Sequence, residues 1–207
     1  MRIFAPMEHH YRSIEAPVED IIIKEKGSKF IGYLFPVEST IEVNKALESV
    51  RLTHPKATHH CYAYRLGKDG SEYRAQDDGE PSGSAGLPIY NQLLAKEVVN
   101  TLLIVVRYYG GVKLGVSGLI KTYKETAKTV LDEAKIIEIT IMQKLALYFP
   151  FPHQNTVFTL LNKHQAKILK FDANELCEIH AEVKQEDKKD ISQQLLEMPS
   201  ITFEFIE

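Results

Sequence analysis

The stretch Val105-Val106-Arg107-Tyr108-Tyr109-Gly110-Gly111-Val112-Lys113-Leu114-Gly115-Val116-Ser117-Gly118 changes character twice. Its first residues end an apolar run that begins at Leu102, and this predicts a buried strand over residues 101–109. A glycine loop follows. Leu119, Tyr123, Ala127, Val130 and Ala134 then recur at helical spacing, which predicts a long helix over residues 118–135. Strand, glycine loop and helix start in succession make this half of the chain mixed α/β.

Such a junction often receives an anion, because free backbone N–H groups and the helix dipole point into the loop. Two standard phosphate loops do not fit. Gly110 and Gly115 have Walker A spacing, but Val116-Ser117 stands where Lys-Ser/Thr must follow. Gly111, Gly115 and Gly118 do not supply G-x-G-x-x-G. Two readings stand: an anion cradle at Gly110, Gly111 and Gly115, or glycines that only permit positive φ and close packing. On the following helix Lys121, Lys124 and Lys128 share one face. With Arg107 and Lys113 they make either a basic ridge for phosphates or an acidic protein surface, or a solvated face partly neutralised by Glu125 and Asp132.

Residues 77–86, Asp-Asp-Gly-Glu-Pro-Ser-Gly-Ser-Ala-Gly, gather three carboxylates among backbone-shaping residues. They lack the order of a calcium loop. Asp77, Asp78 or Glu80 can cap the next helix, or pair with Arg107 or Lys113 and fix the two loops against each other; the pairing is the favoured reading. His59-His60-Cys61 has the residue types of a metal site. On a strand, however, neighbours point to opposite faces, and a zinc site needs two further ligands. His59 and His60 therefore read as polar residues of a half-buried strand or members of a binding surface. Ser82, Ser84 and Ser117 lie in no nucleophile elbow. No catalytic residue, metal or cofactor is assigned. The two loops are expected to form one mixed-charge surface that recognises a partner.

Working outward, residues 20–26 and 29–37 read as a hairpin around Gly27-Ser28. Ser39 or Thr40 caps a helix that Pro55 stops. A strand over 58–66, a short one near Tyr73 and a helix over 87–98 complete the first half. The second half reads as a strand over 139–149, a helix begun at Phe151-Pro152, strands over 166–171 and 176–183, a helix over 186–198 and a strand over 201–206. This is the β-α-β-β-α-β order of a ferredoxin-like unit. The expected fold class is α+β with two domains, residues 1–138 and 139–207. The first carries 18 basic and 18 acidic side chains and the second 7 and 10, which sum to the net charge of −3.

That balance places any polyanion site in a local patch. Two cysteines in 207 residues are too few for a disulfide framework and fit a reducing compartment. The residues after Met1 are not expected to form a signal peptide, and the apolar run 102–106 is far too short to span a bilayer. A soluble cytoplasmic protein without membrane contact is expected.

Four segments give the chain a likeness: Ser28-Lys29-Phe30-Ile31-Gly32, His59-His60-Cys61-Tyr62-Ala63-Tyr64-Arg65, residues 77–86 and residues 107–115. Together they resemble the IMPACT/YigZ family from about residue 20 to residue 135. The resemblance implies a first domain similar to the second domain of ribosomal protein S-five and to domain IV of elongation factor G. The C-terminal unit resembles the ferredoxin-like extension of bacterial members. Eukaryotic relatives regulate translation under amino-acid starvation by competing with a stress kinase for its activator. The family thus implies RNA, the ribosome or a translation-associated protein as partner; an enzyme acting on a small phosphorylated substrate, with Asp78 or Glu80 as base or metal ligand, is the alternative. Where the family often has Gly-Ala-Gly-Gly-Leu-Val-Arg, this chain has residues 115–121, Gly-Val-Ser-Gly-Leu-Ile-Lys. Lys121 keeps the charge of that arginine without its bidentate geometry.

Overall fold

The computed structural model describes residues 9–206, and the chain divides into two compact units. Tyr11–Ile139 make one; the chain from Thr140 onward, with His9 and His10, makes the other.

The larger unit holds β1 (His10–Ile14) from Tyr11 onward, β2 (Val18–Glu25), β3 (Ser28–Pro36), α1 (Thr40–Thr53), β4 (His59–Leu66), β5 (Glu72–Gln76), α2 (Gly86–Lys96), β6 (Thr101–Tyr108), α3 (Gly115–Glu133) and β7 (Ile136–Thr140) as far as Ile139. Five strands form an antiparallel sheet in the order β2-β3-β6-β4-β5. The β2–β3 hairpin turns at Lys26 (φ 45°) and Gly27 (φ 78°), the left-handed pair that matches the twist of the strands. α1 starts where Ser39 Oγ accepts from Glu42 N–H at 3.3 Å, and Glu42 in turn accepts from Glu38 N–H at 2.7 Å.

β6 lies at the centre and is buried from Thr101 to Arg107. Its alternation feeds two cores. Leu103 and Val105 join Phe30, Leu34, Ile89, Leu93, Tyr123 and Val130 beneath α2 and α3. Leu102, Ile104 and Val106 join Ile31, Tyr62, Val43, Leu47 and Val50 beneath α1. α3 lies so close to β3 that a Cβ on Gly32 would come within 2.2 Å of Val130 Cγ2. β1 and β7 form a separate antiparallel ribbon, in which Glu15 N–H donates to the Lys135 carbonyl at 3.0 Å.

The smaller unit holds β8 (Met142–Pro150), α4 (Gln154–Lys163), β9 (Lys167–Asp172), β10 (Leu176–Lys184), α5 (Lys188–Leu196) and β11 (Thr202–Ile206). Its antiparallel sheet has the order β11-β8-β10-β9. Leu145, Leu147, Phe149, Ile179 and Val183 pack against Val157, Leu161, Ile191 and Leu195 of the two helices. His164 is buried with Asp187 and Asp190 carboxylates 3.1 and 3.2 Å from its ring nitrogens.

Three expectations are corrected. The stretch 139–149 is the end of one strand and most of another, since β7 and β8 belong to different sheets. α3 begins at Gly115, a turn before Gly118, because Gly115 at φ 72° lets the chain enter the helix from the loop. The helix at Phe151-Pro152 opens as a single 3-10 turn, Phe151–His153, before α4. The strand β1 had no expected counterpart.

Candidate functional site

The loop between β5 and α2 is fixed by its own carboxylates. Asp77 accepts from the backbone N–H of Gly83, Ala85 and Gly86 at 2.8–2.9 Å, and so caps the start of α2. Asp78 Oδ2 accepts from His60 N–H at 2.7 Å, and its Oδ1 lies 3.4 Å from Arg51. The Asp78 carbonyl can only accept, so the 2.8 Å contact from His59 Nδ1 assigns the proton to that nitrogen.

Glu80 turns inward. Its Oε1 accepts from Arg107 at 2.6 Å and from the Tyr123 hydroxyl at 2.8 Å, with both ends of the ion pair buried. His59 Nε2 is 3.8 Å from the same oxygen. Arg107 also donates to Ser28 Oγ at 3.4 Å and lies against the rings of Phe30 and Tyr109. The Cys61 thiol sits between the Asp77 carbonyl (2.9 Å) and the Tyr123 oxygen (3.2 Å), and its one hydrogen serves one of them at a time. Burial pushes the Cys61 thiol and the Tyr123 hydroxyl well above their ordinary ranges, so both remain protonated. Ser84 Oγ is wholly buried and has no partner among the described residues.

The two loops therefore do meet, through Glu80 and Arg107. They meet inside the protein and not as an exposed face. An arginine ending a fully buried strand must bring a carboxylate with it, because an unpaired buried charge costs several kcal/mol, on the order of 3–5. His60 is buried on the opposite face of β4 from His59, as strand alternation requires. Burial lowers its pKa against the opposing pull of Asp78.

The glycines separate in role. Gly110 is stacked on Gly27 and its N–H donates to Ser28 Oγ at 3.2 Å, so it serves packing. Gly111 (φ 86°) and Gly115 (φ 72°) face open space. Lys113, Lys121 and Lys124 are exposed, and no carboxylate among the described residues forms a salt bridge with them. Lys128 differs: it is bonded at 2.7 Å to Asp132, which also takes Lys96 of α2 at 2.7 Å. Those two bonds hold the Asp132 carboxyl down at about 2.

That bridge joins the C-terminal ends of α2 and α3. At their other ends Leu87, Pro88, Asn91 and Gln92 of α2 and Ile120 and Lys124 of α3 line one open groove of about 350 Å³. The two helices run side by side in the same direction. Their N-terminal halves and the glycine loop expose Leu87, Tyr109, Val112, Val116 and Ile120, each 40–52% accessible. Sequence reading singled out the lysines of this end and missed its aliphatic residues; Leu87, Val116 and Ile120 were the available signal, apolar side chains outside the buried stripe of their helices.

No group of three or more His, Cys, Asp or Glu side chains among the described residues can hold a metal ion. No helix of the described residues is long and apolar enough to cross a membrane.

Comparison with known proteins bears on this geometry. The Impact N-terminal domain pattern matches residues 26–131, which include both loops. The chain is 34% identical over 159 residues to the IMPACT family member YigZ of Escherichia coli (strain K12), covering 76% of this chain and 78% of that protein. To the IMPACT family member YvyE of Bacillus subtilis (strain 168) it is 29% identical over 192 residues, 93% of this chain and 88% of that one. Protein IMPACT-B of Xenopus tropicalis is 34% identical over 116 residues, which make up 35% of its length. A crystal structure of a hypothetical protein, 30% identical, matches with a TM-score of 0.71 over 96% of this chain and 98% of that one.

Proposed function

The chain belongs to the IMPACT family, and from that premise we propose that it works by binding, in translation or its regulation, through the glycine loop and the N-terminal halves of α2 and α3. One observation carries the reading. From Pro81 to Lys124 the sequence contains a single carboxylate, Glu97, in a chain with 28 of them. The two ends of that run meet where Gly83, Leu87, Pro88, Asn91 and Gln92 line one groove with Ile120 and Lys124, and Lys113, Lys121 and Lys124 stand exposed. A chain of net charge −3 thus presents a local positive end, which attracts an anionic partner.

The architecture supports the same reading. We take the larger unit as similar to the second domain of ribosomal protein S-five, and the smaller as ferredoxin-like. The sheet order β11-β8-β10-β9 with two helices on one face favours the second assignment. The family resemblance implies a role in translation, and the family pattern, residues 26–131, lies in the larger unit. The carboxylates that a catalytic reading needs, Asp78 and Glu80, are already occupied by His60, Arg51, Arg107 and Tyr123.

The test is co-sedimentation of the full chain with ribosomes across a salt series. Binding is expected, falling as salt rises, and weaker by roughly tenfold for Lys121→Glu with Lys124→Glu. Binding that the double variant leaves unchanged would remove this face from the account.

A further inference from the structure

The groove between α2 and α3 is more than a basic patch. Phosphates gain nothing from Leu87, Val116 and Ile120, and water charges about 25 cal/mol for each Å² of apolar surface left exposed. Of the large hydrophobic side chains left exposed, Leu87, Leu94, Tyr109, Val112, Val116 and Ile120 fall on the glycine loop and the two helices beside it. A partner that uses both the aliphatic floor and the lysine rim must itself carry apolar and acidic side chains.

The walls restrict its conformation too. The two long walls are helices, and the one loop residue in the lining, Gly83, has its N–H taken by Asp77 at 2.8 Å, so the groove presents side chains almost alone. An extended segment would leave its own N–H and C=O groups without partners there, whereas a helix satisfies its own.

Resting on the binding role proposed above, we infer that this groove seats an acidic amphipathic helix of a protein partner. Apolar residues of that helix at i, i+3 or i+4 and i+7 lie between Leu87 and Ile120. Its carboxylates face Lys121 and Lys124, and Asn91 and Gln92 supply polar contacts on the α2 side. No carboxylate of α2, or of α3 before Glu125, opposes such a helix.

The experiment uses the full chain and three fluorescent peptides: an acidic amphipathic helix with leucines at that spacing, a scrambled peptide of equal composition, and the helix with lysine for every glutamate. A single-stranded oligouridine is the fourth probe. Anisotropy gives affinity, and amide shifts in NMR spectra give location. The acidic helix is expected to bind, shifting Asn91 and Lys124, while the scrambled and lysine peptides do not. Leu87→Asp with Ile120→Asp, both at exposed positions, is expected to weaken it by roughly tenfold or more without altering the melting curve. Equal binding of helix and scrambled peptide, an unaffected double variant, or binding of oligouridine alone would overturn the inference. If the peptide fails while Lys121→Glu with Lys124→Glu still reduces ribosome co-sedimentation, the inference falls and the proposed function stands. If that reduction is absent, the proposed function falls as well.

Discussion

Gly110 lies flat against Gly27: a Cβ built on Gly110 would come within 1.9 Å of the Gly27 carbonyl carbon. The glycine loop is therefore pinned to the β2–β3 turn by the absence of a side chain. Gly110→Ala forces two backbones apart and is expected to cost about 3 kcal/mol or more. Gly111→Ala meets open space and suffers only its left-handed φ, about 1–2 kcal/mol. Urea denaturation of the two variants checks the order, and equal losses would refute the packing role.

The Glu80–Arg107 pair makes a second prediction. Arg107→Met leaves Glu80 buried without its cation and is expected to destabilise by about 3–5 kcal/mol. Replacing both residues by methionine is expected to cost less than the sum of the single changes, because no charge is then stranded. A double-mutant cycle in urea measures the coupling; strict additivity would mean that the pair does not act as a unit.

Asp77 receives three backbone N–H groups at the start of α2. Asp77→Ala leaves all three without that acceptor, at about 2 kcal/mol. Amide exchange at Gly83, Ala85 and Gly86 should accelerate more than exchange in the middle of β6.

Both cysteines are free and buried. Burial raises the Cys61 thiol far above neutral pH, which removes the reactive thiolate. The folded protein is expected to take up no thiol reagent on the experimental time scale, and two equivalents per chain in urea. Rapid labelling of Cys61 in the native state would contradict its placement.

On the α1 face Tyr33 gives its hydrogen to Asp20, so His54 Nε2–H donates to Tyr33 at 2.6 Å and His54 Nδ1 accepts from Tyr108 at 3.0 Å. Burial lowers the pKa of His54 and of His60 below the usual histidine value. Above the unfolded value of about 6.5 both states are neutral at these sites. As pH falls below it the unfolded chain takes up protons first, so stability is lost down through the folded values. The urea midpoint is expected to hold above about pH 7 and to fall as the pH drops below about 6.5. His60→Gln should flatten that fall; an unchanged slope would place the titration elsewhere.

Local patterns carried most of this structure. The buried strand, the hairpin read around Gly27-Ser28 (its turn falls one residue earlier, at Lys26 and Gly27), and the helix capped by Ser39 each rest on neighbours within a few residues. The β1–β7 ribbon was not legible, because its strands are short, mixed in polarity and paired across more than a hundred residues. In the site, the meeting of the acidic and glycine loops was readable from charge, but its depth was not. Arg107 at the end of an all-apolar strand, and Tyr123 within a buried stripe, were the clues: each polar head needs a buried acceptor, and Glu80 serves both. The groove was missed because Leu87 and Ile120 belong to helices that meet only in three dimensions.

The ribbon has a further consequence. Tyr11 and Ile139, where the chain enters and leaves the larger unit, lie on its two paired strands. A unit whose entrance and exit are neighbours can be spliced into a longer chain as a cassette, leaving the flanking sequence free to continue on either side. The matched segment fills only about a third of the Xenopus tropicalis protein, as such portability allows.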